Sequence, residues 1–120
     1  MSAREIYTLK QGDKRPFAID FGENTAGSTT GPLPPGDTLA SGTVSLSSSP
    51  TGATSPTLSA VTIISSTEYV NGRSCSSGEA ATFTVTLGAS QTVGDYVLKV
   101  TGTTTAGYII VEFVRFTVES

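Results

Sequence analysis

The chain has no histidine and no tryptophan, one cysteine and one methionine, and only 14% of its 120 residues are charged. Without histidine there is no Ser-His-Asp or Cys-His catalytic arrangement, no imidazole base near neutral pH and no histidine-containing metal site. The single cysteine, Cys75, can neither close an intramolecular disulfide nor supply a four-cysteine zinc site. Seven basic residues, spread from Arg4 to Arg115 in a chain of net charge −3, form no basic stripe for a phosphate backbone. Nucleic acid is therefore not the expected partner. Charges punctuate the first residues, MSAREIYTLKQGDKRPF, leaving no apolar run of signal-peptide length. No stretch approaches the ~20 apolar residues of a membrane-spanning helix. The expectation is synthesis and folding in the cytoplasm, with no membrane partner and with Cys75 a reduced thiol.

What is present is hydroxyl: 20 threonines and 16 serines, 30% of the chain. The length suits one domain. Leu, Ile, Val and Phe together number 28, which at this low net charge is enough to escape the signature of disorder and to form a modest core. No window places apolar residues at helical spacing between recognisable caps, whereas Thr, Val, Ile, Phe and Tyr fill the periodic segments, so the chain reads as all-β.

The clearest strand is 81–87, ATFTVTL, in which Ala81, Phe83, Val85 and Leu87 alternate with threonines. In 95–101, DYVLKVT, the inward set is Tyr96, Leu98 and Val100. Residues 107–118, GYIIVEFVRFTV, form the last strand, but its halves differ in phase: Val114, Phe116 and Val118 fall on one parity and Ile109, Val111 and Phe113 on the other. A β-bulge near Val111 or Glu112 would turn both sets inward; without one, the second set is an exposed apolar patch. Phe17, Ile19 and Phe21 mark an earlier strand that Pro16 places at a sheet edge. Ala40, Gly42, Val44 and Leu46 suit the inner face of another. Further short strands are expected within 58–64 and 66–70, and 6–9 is either an edge strand or part of an arm that pairs with a partner. Segments 22–36 and 47–56, rich in Gly, Pro and Ser, read as loops, and one as long as the first is commonly a contact loop.

Short strands with regular turn signals describe a sandwich. Gly94 to Leu98, GDYVL, fits the tyrosine corner of immunoglobulin-like domains, with Leu98 where antibody domains carry cysteine. The expected fold is an immunoglobulin-like antiparallel β-sandwich of about seven strands, with a long Gly/Pro-rich loop. Residues 1–14 form an N-terminal arm or edge strand and 15–120 the single domain.

In its order of segments the chain resembles the small immunoglobulin-like virion proteins of tailed bacteriophages, in particular the fibre-tail adaptors. FAIDF at 17–21, PGDTLASGTV at 35–44 and GDYVLKVTGTTTAG at 94–107 carry the likeness, which extends over most of 17–118. The resemblance implies a non-enzymatic structural protein of the virion, linking fibres to tail or neck. Its partners would be other virion proteins (tail, neck, fibre or capsid subunits), and it would form a symmetric homo-oligomer in the particle. Capsid decoration is the alternative address. A carbohydrate-binding or adhesion module is a further alternative, against which the absence of tryptophan weighs.

Chemistry-bearing groups are sparse. Asp20, Glu23 and Asn24 could offer oxygens to calcium, but the spacing is not that of an EF-hand and strand-end turn chemistry explains them; no metal or cofactor is expected. Serine and threonine lack an activating base, since Lys10, Lys14 and Lys99 stand in no S-x-x-K spacing. Glu68, Glu79, Asp95 and Glu112 are scattered, as solvated strand faces would be, rather than paired as in a glycosidase. Arg73 near Cys75 could lower the thiol pKa, against an inert thiol as the simpler case. Tyr7, Tyr69 and Tyr108 are too widely spaced in the sequence for an evident sugar platform. The partner surface is expected at Ile6, Tyr7 and Leu9, at Pro32, Leu33, Pro34 and Pro35, and at Ile109, Val111 and Phe113.

Overall fold

The computed structural model describes residues 6–22, 33, 34 and 36–120. Among them all regular structure is β, with no helix, in ten strands: β1 (Ile6–Lys10), β2 (Lys14–Asp20), β3 (Leu39–Ser48), β4 (Thr57–Leu58), β5 (Thr62–Ile63), β6 (Glu68–Val70), β7 (Arg73–Cys75), β8 (Ala80–Thr86), β9 (Gly94–Thr104) and β10 (Ile109–Glu119). The expected seven become ten because the apolar run 58–64 splits between β4 and β5, because β7 answers β6 in a hairpin, and because the N-terminal segment pairs as an edge strand, β1. That hairpin turns on Asn71 and Gly72, at φ 50° and 85°. Both turn residues of a tight type I′ connection need such positive angles, and Asn-Gly supplies them with little strain.

One sheet has the order β1-β10-β9-β3, antiparallel except that β1 runs parallel to β10; the other has β2-β8-β4, with β5 also pairing β8. Period-two alternation gives each sheet one apolar face. Tyr96, Leu98 and Val100 of β9 and Val114, Phe116 and Val118 of β10 share one core with Phe17 and Ile19 of β2 and Ala81, Phe83 and Val85 of β8. Phe17 stands edge-on to Phe83 at 5.7 Å and reaches across to Phe116 at 6.1 Å, which ties the layers into a sandwich-like whole. Each buried Val, Leu, Ile or Phe among them contributes about 1.5–3 kcal/mol relative to exposure. β2, carrying Pro16, lies at the sheet edge.

The phase conflict of the last strand is resolved without a bulge. β10 pairs with β9 without a break from Ile109↔Thr103 to Val118↔Gly94. The even-numbered side chains point inward, Glu112 among them at 2% exposure, while Ile109, Val111 and Phe113 face out. The register shifts lie in β3, between Leu39 and Ser41 and between Leu46 and Ser48. The first corrects the expected inner face: Ala40 is the extra residue and is exposed, and Leu39 is buried in its stead. Gly102 lies opposite Gly42 on the inner side. A Cβ at Gly102 would come within 2.7 Å of Leu39 Cδ2 and 3.2 Å of the Phe21 ring, so the missing side chain makes the room those two fill.

Candidate interaction surface

The outer face of the first sheet is set by its register. Ile109 lies beside Thr103, Val111 beside Thr101, Phe113 beside Lys99, and Ser41, Thr43 and Ser45 of β3 flank the same β9 residues. A hydroxyl-covered face thus carries one apolar stripe along β10, with Ile109 70%, Val111 36% and Phe113 44% exposed. Tyr108 continues it at 61%.

The same residues hold the open edge of the strand. Thr104 N–H donates to the Tyr108 carbonyl at 2.8 Å, so the even-numbered residues of β10 turn their peptide groups to β9 and the odd-numbered ones turn theirs away. The other end obeys the same phase, where Gln11 N–H donates to the Glu119 carbonyl at 3.0 Å. β1 occupies that outer lane from Arg115, opposite Ile6, to Glu119, opposite Lys10. Among the described residues no strand pairs with the lane from Ile109 to Val114. Exposed apolar side chains and outward-facing peptide groups therefore coincide at Ile109, Val111 and Phe113.

Other expected contact residues are placed differently. Leu9 and Leu33, at 1% and 4% exposure, belong to the core and offer no surface. β1 carries Leu9 inward, and Leu33 donates its N–H to the Phe21 carbonyl at 3.0 Å, closing the end of the core. Tyr7 is half-buried against Phe17, ring centroids 5.1 Å apart. Pro34 is half-buried. Ile6 pairs through its backbone with Arg115. Pro32, Pro35 and the Ile6 side chain lie outside the described residues, as do Glu23 and Asn24.

Three charged side chains meet at the β6–β7 hairpin. Arg73 donates from Nε to Asp20 Oδ2 at 2.6 Å and from a terminal nitrogen to Asp20 Oδ1 at 2.7 Å, and approaches Glu79 Oε1 at 3.3 Å. Glu79 also accepts from Ser76 N–H at 2.8 Å, pinning the turn before β8. Burial pushes the Asp20 carboxyl up, but the Arg73 bonds, the Gly22 N–H and the Arg73 charge outweigh it and hold its pKa below the usual value. Both Asp20 oxygens are thus engaged by Arg73. Glu79 and Glu112, both 2% exposed, correct the expectation of solvated carboxylates; Asp95 and Glu68 are exposed, and Asp95 accepts from the Thr117 hydroxyl at 2.7 Å. Burial, and then the Asp20 charge, push the Cys75 thiol up to about 11 against the opposing pull of Arg73, so the lowered pKa considered from the sequence does not arise. No group of three or more His, Cys, Asp or Glu among the described residues could hold a metal, and no helix among them is long and apolar enough to cross a membrane.

At the opposite end of β9, Tyr96 is fully buried, stacked on Phe116 at 5.1 Å, and its hydroxyl donates to the Thr92 carbonyl at 2.6 Å. Gln91 Nε2 donates both to that hydroxyl, at 3.1 Å, and to the Thr54 carbonyl, at 2.6 Å, knitting the 47–56 loop to the turn before β9. Gln91 carries no distinguishing signal in the sequence, since polar residues are common in turns. No protein-family model matches the chain, and no curated protein matches its sequence.

Proposed function

We propose that this protein is an immunoglobulin-like structural protein of a tailed-phage virion, an adaptor that links fibres to tail or neck by protein–protein docking and performs no catalysis. The observation that carries the docking role is the apolar stripe of Ile109, Val111 and Phe113 on an open strand edge, since such edges add a strand from a partner. Strand order supports the immunoglobulin-like assignment: β3, β9 and β10 follow the C-F-G order of those sandwiches, β2, β8 and β4 the B-E-D order, with β1 added beside the last strand. The Tyr96 hydroxyl bonded to the backbone four residues upstream is the tyrosine corner such domains use. The segments FAIDF, PGDTLASGTV and GDYVLKVTGTTTAG supply the phage address.

Electron microscopy of particles assembled without this chain tests the reading. Particles lacking fibres are expected. Fragile heads with fibres intact would move the protein to the capsid surface, and particles normal in form and infectivity would refute the assignment.

A further inference from the structure

We propose that the open edge of β10 is occupied by β10 of a second copy, antiparallel about a two-fold axis through Val111. The inference rests on the docking role assigned to this edge above, and it names the partner.

Three observations converge on a second copy. The first is self-complementarity: with Val111 opposite its own equivalent, Ile109 faces the partner's Phe113 and Phe113 faces the partner's Ile109. All three cross-strand pairs on the outer face are then apolar, which is the pairing that stabilises adjacent strands and the isologous contact that a two-fold requires. The second is hydrogen bonding. Ile109, Val111 and Phe113 all turn their peptide groups into the open lane, so this register makes every facing pair a bonded one, about six new backbone bonds.

The third is length. The lane is closed at one end by Ile6, opposite Arg115. In this register the partner's Tyr108 comes opposite Val114, one place short of that block. The next residue is Gly107, which at φ 95° turns the chain back to β9. The stretch that the second copy presents therefore matches the stretch that no described residue occupies, and β1 stays in place on both. The product is one continuous sheet of order β3-β9-β10-β10-β9-β3 about the axis, with each β1 in the same lane as the partner's β10.

A residue opposite itself allows a charge-reversal test. Sedimentation equilibrium across concentration should show the wild-type protein dimerising. Val111→Lys and Val111→Glu each place like charges on the axis and should each raise the dimer dissociation constant about tenfold or more. An equimolar mixture of the two should recover dimer, as the heterodimer only. Val111 points outward, so at concentrations where the wild type is monomeric both variants should melt as it does. Val111→Pro removes only the N–H that faces the lane and should also abolish the dimer while leaving pairing with β9 intact. A wild-type protein that stays monomeric at about 1 mM, roughly −4 kcal/mol on the affinity scale, would overturn the proposal. So would dimers indifferent to all three substitutions, or a mixture that does not recover. If the chain dimerises only after removal of residues 1–5, the lane belongs to its own N-terminal segment and the proposal fails. Capture of other virion proteins by a strictly monomeric wild type would overturn the two-fold pairing while leaving the adaptor role standing.

Discussion

Replacing Tyr96 by Phe removes one oxygen from the middle of the molecule and nothing else. The ring keeps its stack on Phe116, so packing is unchanged. What is lost is a 2.6 Å bond to the Thr92 carbonyl and the acceptor for Gln91 Nε2 at 3.1 Å, though Gln91 keeps its shorter bond to Thr54. A net hydrogen bond is worth about 1 kcal/mol, and leaving the Thr92 carbonyl without its partner adds about 1 kcal/mol more. The expected loss is about 2 kcal/mol. With an unfolding entropy near 2.1 cal/mol/K per residue, a chain of this length has about 0.25 kcal/mol/K at the midpoint, so Tm should fall by about 8 °C. Scanning calorimetry, with urea titration as a second measure, reads this directly. Tyr7→Phe is the control, because its hydroxyl makes only an exposed 3.4 Å contact to Asn71 and should cost less than about 0.5 kcal/mol. Equal losses in the two variants, or a Tyr96→Phe loss under about 0.5 kcal/mol, would refute the view that this corner fastens the loop end of the domain.

Two further outcomes are expected. Asp20 titrates below its ordinary 3.8 in the folded protein, so its stabilisation is complete above that value and disappears as pH falls through the lower folded value. Melting followed by circular dichroism from pH 6 down to 2 should show a decline below about pH 4 that is shallower in Asp20→Asn; an unchanged slope would exclude the Arg73 pair as its cause, the remainder falling to Asp37, whose pKa is also lowered, chiefly by its bond to Thr104. Cys75, fully buried and with its thiol pushed up to about 11, should resist a thiol-disulfide reagent at pH 8 until urea unfolds the chain. Rapid labelling of the native protein would contradict that burial.

The long strands were legible because each obeys one rule: Phe83 and Val85, or Leu98 and Val100, alternate with threonine, lysine or valine on a face that meets water. β10 was legible down to its ambiguity, and the unbroken pairing with β9 decides it. Ala40 was misplaced because a bulge leaves no mark in composition; it is visible only when Leu39 is found against Gly102, beside Phe21, while Gly42 faces Val61. The Asn71-Gly72 hairpin had a signal, the dipeptide itself, which short flanking strands made easy to pass over. Leu9 and Leu33 stand among polar, Gly and Pro residues and read as contact residues, yet tertiary pairing with β10 and with Phe21 draws them in. The meeting of Asp20, Arg73 and Glu79 was invisible for a general reason: sequence shows which charges exist, not which ones a fold brings into contact.

The parallel pairing of β1 with β10 fixes an order in time. Every other neighbour in the first sheet is reached by doubling back, but the lane of β1 does not exist until β10 has been synthesised and laid against β9. Leu9 therefore has no strand to lie beside until β10 is in place. Contacts spanning that much chain slow folding, and an unsatisfied apolar strand is what chaperones hold and what aggregates. Seating β1 thus depends on β10, and a ribosome stalled before β10 would carry a chain with no lane for β1.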